Sequence, residues 1–77
     1  MTVEEKIIAM FKDIECFEGI RELPPWEDKR VFTPLFKRTI YLGDFVIFVE
    51  NDIPRYSIGE EVSLYYKFLE SNEQSQN

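Results

Sequence analysis

Hydrophobic and polar residues alternate with a helical period over the first part of the chain. Apolar residues recur at spacings of three and four, which places them on one face of a helix: Val3, Ile7, Met10, Phe11 and Ile14. Thr2 and Glu5 have the spacing of a capping box, and Gly19 follows the periodic run as a glycine often follows a helix. The pattern predicts an amphipathic helix over about residues 3 to 17.

The pattern changes after the helix. Pro24 and Pro25 cannot donate backbone hydrogen bonds, so a loop is expected over residues 23–28. Residues that favour strands then fall in four runs separated by turn residues: 29–33, 35–42, 45–50 and 61–69. The last run alternates as a strand does, with one wet face, although helical spacing fits it as well. Together these runs predict a strongly curved antiparallel sheet of about three to five strands.

The chain length limits the number of domains. A chain of 77 residues has room for one core, so we expect a single α+β domain over residues 1–70. Residues 71–77 are polar and without periodicity, which predicts a disordered tail.

The central run 45–50 raises the question of what covers it. In a strand, Phe45, Ile47 and Val49 point to one side, and Val46 and Phe48 point to the other. The predicted helix can cover only one of these sides. Three arrangements would cover the second: the sheet curls into a small barrel, a second copy packs against it in a homodimer, or a different protein does.

Two short segments favour the barrel. Gly43-Asp44 and Gly59-Glu60 each place a glycine and an acid shortly before a valine in a predicted strand. Such turns are typical of small, highly bent barrels of the SH3-like or OB-like type. If a partner or second copy supplies the cover instead, the residues expected to contact it are Trp26, Val46, Phe48, Tyr65 and Phe68.

Composition and charge narrow the class of partner. The net charge of −6 disfavours binding to phosphate backbones and anionic lipids. Cys16 is the only cysteine and cannot form an internal disulfide, so a cytoplasmic location is expected. No apolar run is long enough to suggest a membrane span, and the acidic first residues do not resemble a secretory signal.

Candidate chemistry is sparse. The chain has no histidine, and no group of carboxylates has the spacing of a metal site or an acid–base pair. We therefore expect no catalytic residue, metal or cofactor. The sequence predicts a non-enzymatic interaction or accessory module that binds a protein partner or itself.

Two alternatives involve nucleic acid. Basic residues flank aromatic ones in the segment 29–41, as on OB-like platforms that bind single strands, and the candidate contacts are Lys29, Arg30, Lys37, Arg38 and Tyr41. The other alternative is an acidic inhibitor that mimics nucleic acid with a row of carboxylates on the helix: Glu4, Glu5, Asp13, Glu15 and Glu18.

Overall fold

A helix covers each face of a four-stranded antiparallel sheet. The computed structural model describes residues 1–38 and 45–75, with side chains as far as residue 71. The elements in chain order are α1 (Val3–Phe11), β1 (Phe17–Trp26), β2 (Lys29–Phe36), β3 (Ile47–Glu50), β4 (Ile53–Tyr56) and α2 (Glu61–Ser75). The strand order β1-β2-β3-β4 is that of a meander, in which each strand pairs with its sequence neighbours.

The capping box that begins α1 is confirmed. The backbone N–H of Thr2 donates to Glu5 Oε1 over 2.8 Å, and the N–H of Glu5 donates to Thr2 Oγ1 over 3.1 Å. The helix ends at Phe11, however, several residues before the predicted end. Phe17 instead opens β1, where it pairs with Phe36 and stacks on Phe11 with 5.6 Å between ring centroids. These long-range aromatic contacts decided the boundary.

The first core lies between α1 and the sheet. Its buried residues come from α1, β2 and β3: Val3, Ile7, Phe11, Phe32, Ile47 and Val49. Phe45 packs against this cluster, so the predicted assignment of Phe45, Ile47 and Val49 to one side of the strand is confirmed.

The second core corrects the prediction for the run 61–69, which is helical and not a strand. Tyr65 of α2 is fully buried with Val31, Val46 and Phe48, and half-buried Phe68 and Leu69 pack beside them. Because both periods fit the apolar residues of this run, only burial against the sheet distinguished the two. Gly59 with a φ of 60° therefore precedes a helix and not a strand.

The second face of β3 is thus covered by the chain's own carboxyl-terminal helix. Within the described residues, β1 and β4 are the two edges and are not paired with each other, so the sheet is not closed into a barrel. Helix α2 also runs through Ser75, into the segment for which a disordered tail was expected. Residues 76 and 77 of that predicted tail lie outside the described residues.

Polar contacts hold α2 to the sheet. The Arg55 guanidinium donates to both Glu61 carboxylate oxygens, over 2.8 and 2.9 Å, and lies 5.4 Å above the Phe48 ring. This contact, with the Ile58 N–H that donates to the same carboxylate, lowers the pKa of Glu61 to about 2. Further along α2, Tyr65 Oη donates to the Pro24 carbonyl over 2.7 Å, and burial raises the pKa of the phenol to about 12.

Tight turns join the two hairpins. Glu27 and Asp28 have φ values of 51° and 63°, and so do Asn51 and Asp52. Positive φ at both central residues is typical of the type I′ turn, whose twist matches the flanking strands. The predicted loop over residues 23–28 is therefore the end of β1 and the start of its hairpin. The turn at Asn51-Asp52 follows the predicted run 45–50, and β4 begins directly after it at Ile53, where no strand was predicted.

One contact shows which neighbouring strand the backbone groups of each residue point to. We call this alternation the hydrogen-bond phase of the sheet. Ser57 N–H donates to the Val46 carbonyl over 2.9 Å, so the backbone N–H and C=O groups of Val46 point towards β4. Backbone groups of successive residues in a strand point to opposite neighbours. The backbone groups of Ile47 and Val49 therefore point towards β2, and those of their partners Phe32 and Arg30 point towards β3.

The same alternation extends to β1. The backbone groups of Arg30 and Phe32 point towards β3, so those of Val31 and Thr33 point towards β1. There Val31 pairs with Leu23, and Thr33 pairs with Arg21. The backbone groups of the intervening residues Ile20 and Glu22 consequently point away from the sheet.

This phase explains why prolines did not break the strands. Pro54 lies in the edge strand β4 at a position whose backbone groups point away from the sheet. The backbone groups of Pro34 point towards the β3 side, beyond the last described pair between β2 and β3. Pro24 and Pro25 lie in a bulge where β1 has one residue more than β2. At none of these positions does the ladder need a backbone donor, so β2 runs through Pro34 where a break was predicted.

Proline substitutions test this phase. Relative to Arg21→Ala, Arg21→Pro should lower the free energy of unfolding by about 1–3 kcal/mol, because it removes a donor to β2. Relative to Ile20→Ala, Ile20→Pro should cost clearly less, because its N–H points outward. Urea denaturation of the four variants measures both differences. Equal costs at the two positions would contradict the assigned phase.

Acid should weaken the attachment of α2. The pKa of Glu61 falls from an ordinary 4.5 to about 2 in the folded protein, so its contact contributes stability above pH 4.5 that is lost as the pH falls towards 2. We expect the midpoint of thermal unfolding to fall more steeply over this range in the wild type than in Glu61→Gln. Parallel curves for the two proteins would show that the contact does not contribute.

Candidate functional site

The structure brings the predicted partner-binding residues together, but in the interior. Trp26, Val46, Phe48, Tyr65 and Phe68 all belong to the second core. The Val46, Phe48 and Tyr65 side chains are completely buried, and the Trp26 ring lies 5.5 Å from the Phe48 ring. In this structure a partner could contact the three buried residues only after α2 had moved away. Their packing is explained by the chain's own helix, so they do not form an exposed docking surface.

The basic segment is largely engaged by acids. Arg30 donates to both carboxylate oxygens of Glu22, over 2.9 and 3.0 Å, and lies 3.4 Å from Glu4. Lys29 Nζ is 3.5 Å from Glu27 and 3.9 Å from Glu50. The contact with Arg30 lowers the pKa of Glu22. These two cations therefore serve the protein's own surface.

Among the described residues, the rest of the basic, aromatic segment does not form one platform. Phe32 is buried in the first core, and Arg30 lies over its ring at 5.0 Å. Lys37 and Arg38 are exposed beyond the end of β2, and Tyr41 lies outside the described residues. The predicted row of carboxylates is also divided. Glu4 and Glu5 bind Arg30 and the cap of α1, while the exposed acids follow the helix: Asp13, Glu15 and Glu18.

Sites for chemistry are not apparent in the described residues. Cys16 is half-buried, and its carbonyl accepts a hydrogen bond from the Lys37 N–H over 2.8 Å. Over residues 1–38 and 45–71, no group of three metal-ligating side chains comes together and no polar or charged residue is buried. Neither helix in this part of the chain is long and apolar enough to cross a membrane.

With both faces covered by helices, the two sheet edges remain. The β4 edge has few groups to offer another strand. It is only four residues long, and Pro54 lacks an N–H at one of its outward positions. At the other, the Tyr56 carbonyl accepts a hydrogen bond from Arg55 Nη1 over 3.1 Å. Short length, proline and occupied acceptors are the usual ways in which an edge avoids unwanted pairing.

The β1 edge is different. The strand is ten residues long, and the N–H and C=O groups of Ile20 and Glu22 point outward. No backbone hydrogen bond to these outward groups occurs among the described residues. Between the bulge at Glu18 and the prolines, this edge offers the alternating donors and acceptors that an additional strand requires.

The space beside this edge is open over Gly19. Gly19 has no neighbour within 4 Å of the place where a Cβ would lie, and its partner Leu35 is 39% exposed. Arg21 is exposed on the same face of the strand and forms no salt bridge within the described residues. Within the described residues, the open edge therefore combines unpaired backbone groups, open space beside an exposed leucine, and the cation Arg21.

Sequence reasoning missed this edge because its signals were indirect. The prolines at positions 24 and 25 suggested a loop, and Gly19 suggested the end of a helix. The turn Glu27-Asp28 lacks the glycine that usually marks a type I′ hairpin. The alternation of Arg21 and Leu23 with Ile20 and Glu22 was the available signal for a strand, but it is short.

Comparison with known proteins adds no family to this description. No family model matches the chain, and no curated protein or solved structure matches it. The geometry of the molecule is therefore the basis for an assignment of function.

Proposed function

We propose that the protein is a non-enzymatic interaction module that binds an extended segment of another protein along β1. The observation that carries the proposal is the difference between the two sheet edges. The β4 edge is short and its outward groups are partly absent or occupied, whereas Ile20 and Glu22 on β1 present two N–H groups and two carbonyls.

Strand addition to an edge is a common mode of peptide recognition. The backbone hydrogen bonds supply affinity, and alternate side chains supply specificity. Each bond has a net value of about 0.5–1.5 kcal/mol, so the groups of Ile20 and Glu22 support a weak to moderate interaction. The open space over Gly19 leaves room for a partner side chain that covers the exposed side chain of Leu35.

Charge supports a protein partner over nucleic acid. The net charge is −6, and Lys29 and Arg30 lie against carboxylates of the same chain. A partner strand needs no strong positive surface, since most of its contacts are backbone hydrogen bonds and apolar side chains. Binding should therefore change little between low and physiological salt, whereas phosphate binding would weaken by orders of magnitude.

Site-specific crosslinking tests the proposed edge. A photoreactive residue at Glu18, beside the β1 edge, should capture a protein in cells that express this chain naturally. The same residue at Glu60, at the start of α2, serves as the positional control. The adduct from Glu18 should disappear in Ile20→Pro and remain in Ile20→Val, because only the first removes the outward N–H.

Two results would contradict the proposal. An adduct that persists in Ile20→Pro would show that the edge is not used. A captured nucleic acid would favour the basic segment instead. The stability of both Ile20 variants, measured by urea denaturation, separates loss of binding from loss of folding.

A further inference from the structure

The side chains of β1 carry information about which strand can be added. Along the open part of the edge, Gly19 and Arg21 lie on the face that α2 covers, and Ile20 and Glu22 lie on the α1 face. Glu22 is already bound to Arg30, whereas Arg21 has no carboxylate partner within the described residues. Arg21 is therefore the charge that an added strand meets directly.

A second copy of the chain is the first partner to consider, since edge strands often pair across a two-fold axis. Only one antiparallel register pairs Ile20 of each copy with Glu22 of the other and so uses all their outward N–H groups. That register places the two Arg21 side chains directly opposite each other at the axis. Their Cβ atoms would be about 4.5–5.5 Å apart, a distance at which like charges oppose pairing.

The neighbouring registers are poorer. Moving the axis to Glu22 places two carboxylates opposite each other and brings Ile20 against Pro24, which has no N–H. Moving it to Ile20 brings Glu22 against Glu18, which lies in the bulge between Phe17 and Gly19. Each symmetric arrangement therefore loses hydrogen bonds or sets like charges against each other.

Resting on the proposed function, we infer that β1 selects an extended segment with an acidic residue opposite Arg21 and an apolar residue opposite Gly19, and that Arg21 prevents two copies from pairing. The acid neutralises the charge of Arg21, which forms no salt bridge within the described residues. The apolar side chain enters the open space over Gly19 and covers Leu35. The acidic and the apolar residue are two positions apart in the added strand, so their side chains lie on the same face of it.

A pair of blocked peptides tests the selection. In KTVTEVLTK, the antiparallel register places the glutamate opposite Arg21 and the leucine opposite Gly19, and KTVTKVLTK changes only the central residue. Backbone amide NMR shifts of β1 should report binding, about threefold to tenfold tighter for the glutamate peptide. In Arg21→Glu the preference should reverse, a result that a merely structural role for Arg21 would not give.

The outcomes separate the two proposals. If both peptides shift the β1 amides equally, the edge binds strands but the inferred selection is wrong. If neither peptide shifts them, the proposed function and the inference both fail. A preference that is unchanged in Arg21→Glu would also overturn the inference, because the charge at position 21 would then not be its cause.

The second test uses solution mass. Light scattering should show the wild type at its monomer mass of 9.2 kDa. Arg21→Val should shift towards twice that mass, because the register that pairs all the outward N–H groups is then free of like charges. Adding Ile20→Pro to Arg21→Val should restore the monomer. A wild-type dimer that Ile20→Pro dissociates, or a monomeric Arg21→Val, would overturn the role of Arg21 as a barrier to self-pairing.

Discussion

The structure depends on the burial of β3 from both sides. Ile47 and Val49 are covered by α1, and Val46 and Phe48 by α2, so this short strand contributes to two separate cores. A strand with large apolar residues on both flanks cannot remain at the surface of a small protein, because the apolar area left in water would cost too much free energy. The central position of the sheet and the presence of a helix on each face both follow from this requirement.

The two helices are attached by similar means. Each buries an aromatic residue against the sheet, Phe11 from α1 and Tyr65 from α2. Each also has an arginine of the sheet bonded to a carboxylate near its amino end: Arg30 reaches Glu4, and Arg55 reaches Glu61. The acids of this acidic chain are thus partly structural, and Arg30 and Arg55 of the sheet bind the protein's own helices.

Covering both faces has a consequence for function. Both faces of the sheet are used in folding, so an edge of the sheet is where we propose that another protein binds. There the two edges are unequal, because β4 is short and partly occupied while β1 is long and keeps outward backbone groups. An edge of this kind can pair with unwanted strands unless something limits the pairing, and we propose that the charge of Arg21 sets this limit.

The sequence by itself determined α1 and its cap, the two-sided apolar character of residues 45–50 and the α+β class, since these follow from local periodicity. It did not determine the state of residues 61–69, because Tyr65, Phe68 and Leu69 fit a helix as well as Val62, Leu64 and Tyr66 fit a strand. Nor did it reveal β1, whose prolines are tolerated only because the pairing phase leaves their positions without a partner. Tertiary structure decided both cases, since the outcome depended on which neighbour each backbone and side chain faced, and one strand's sequence does not contain that information.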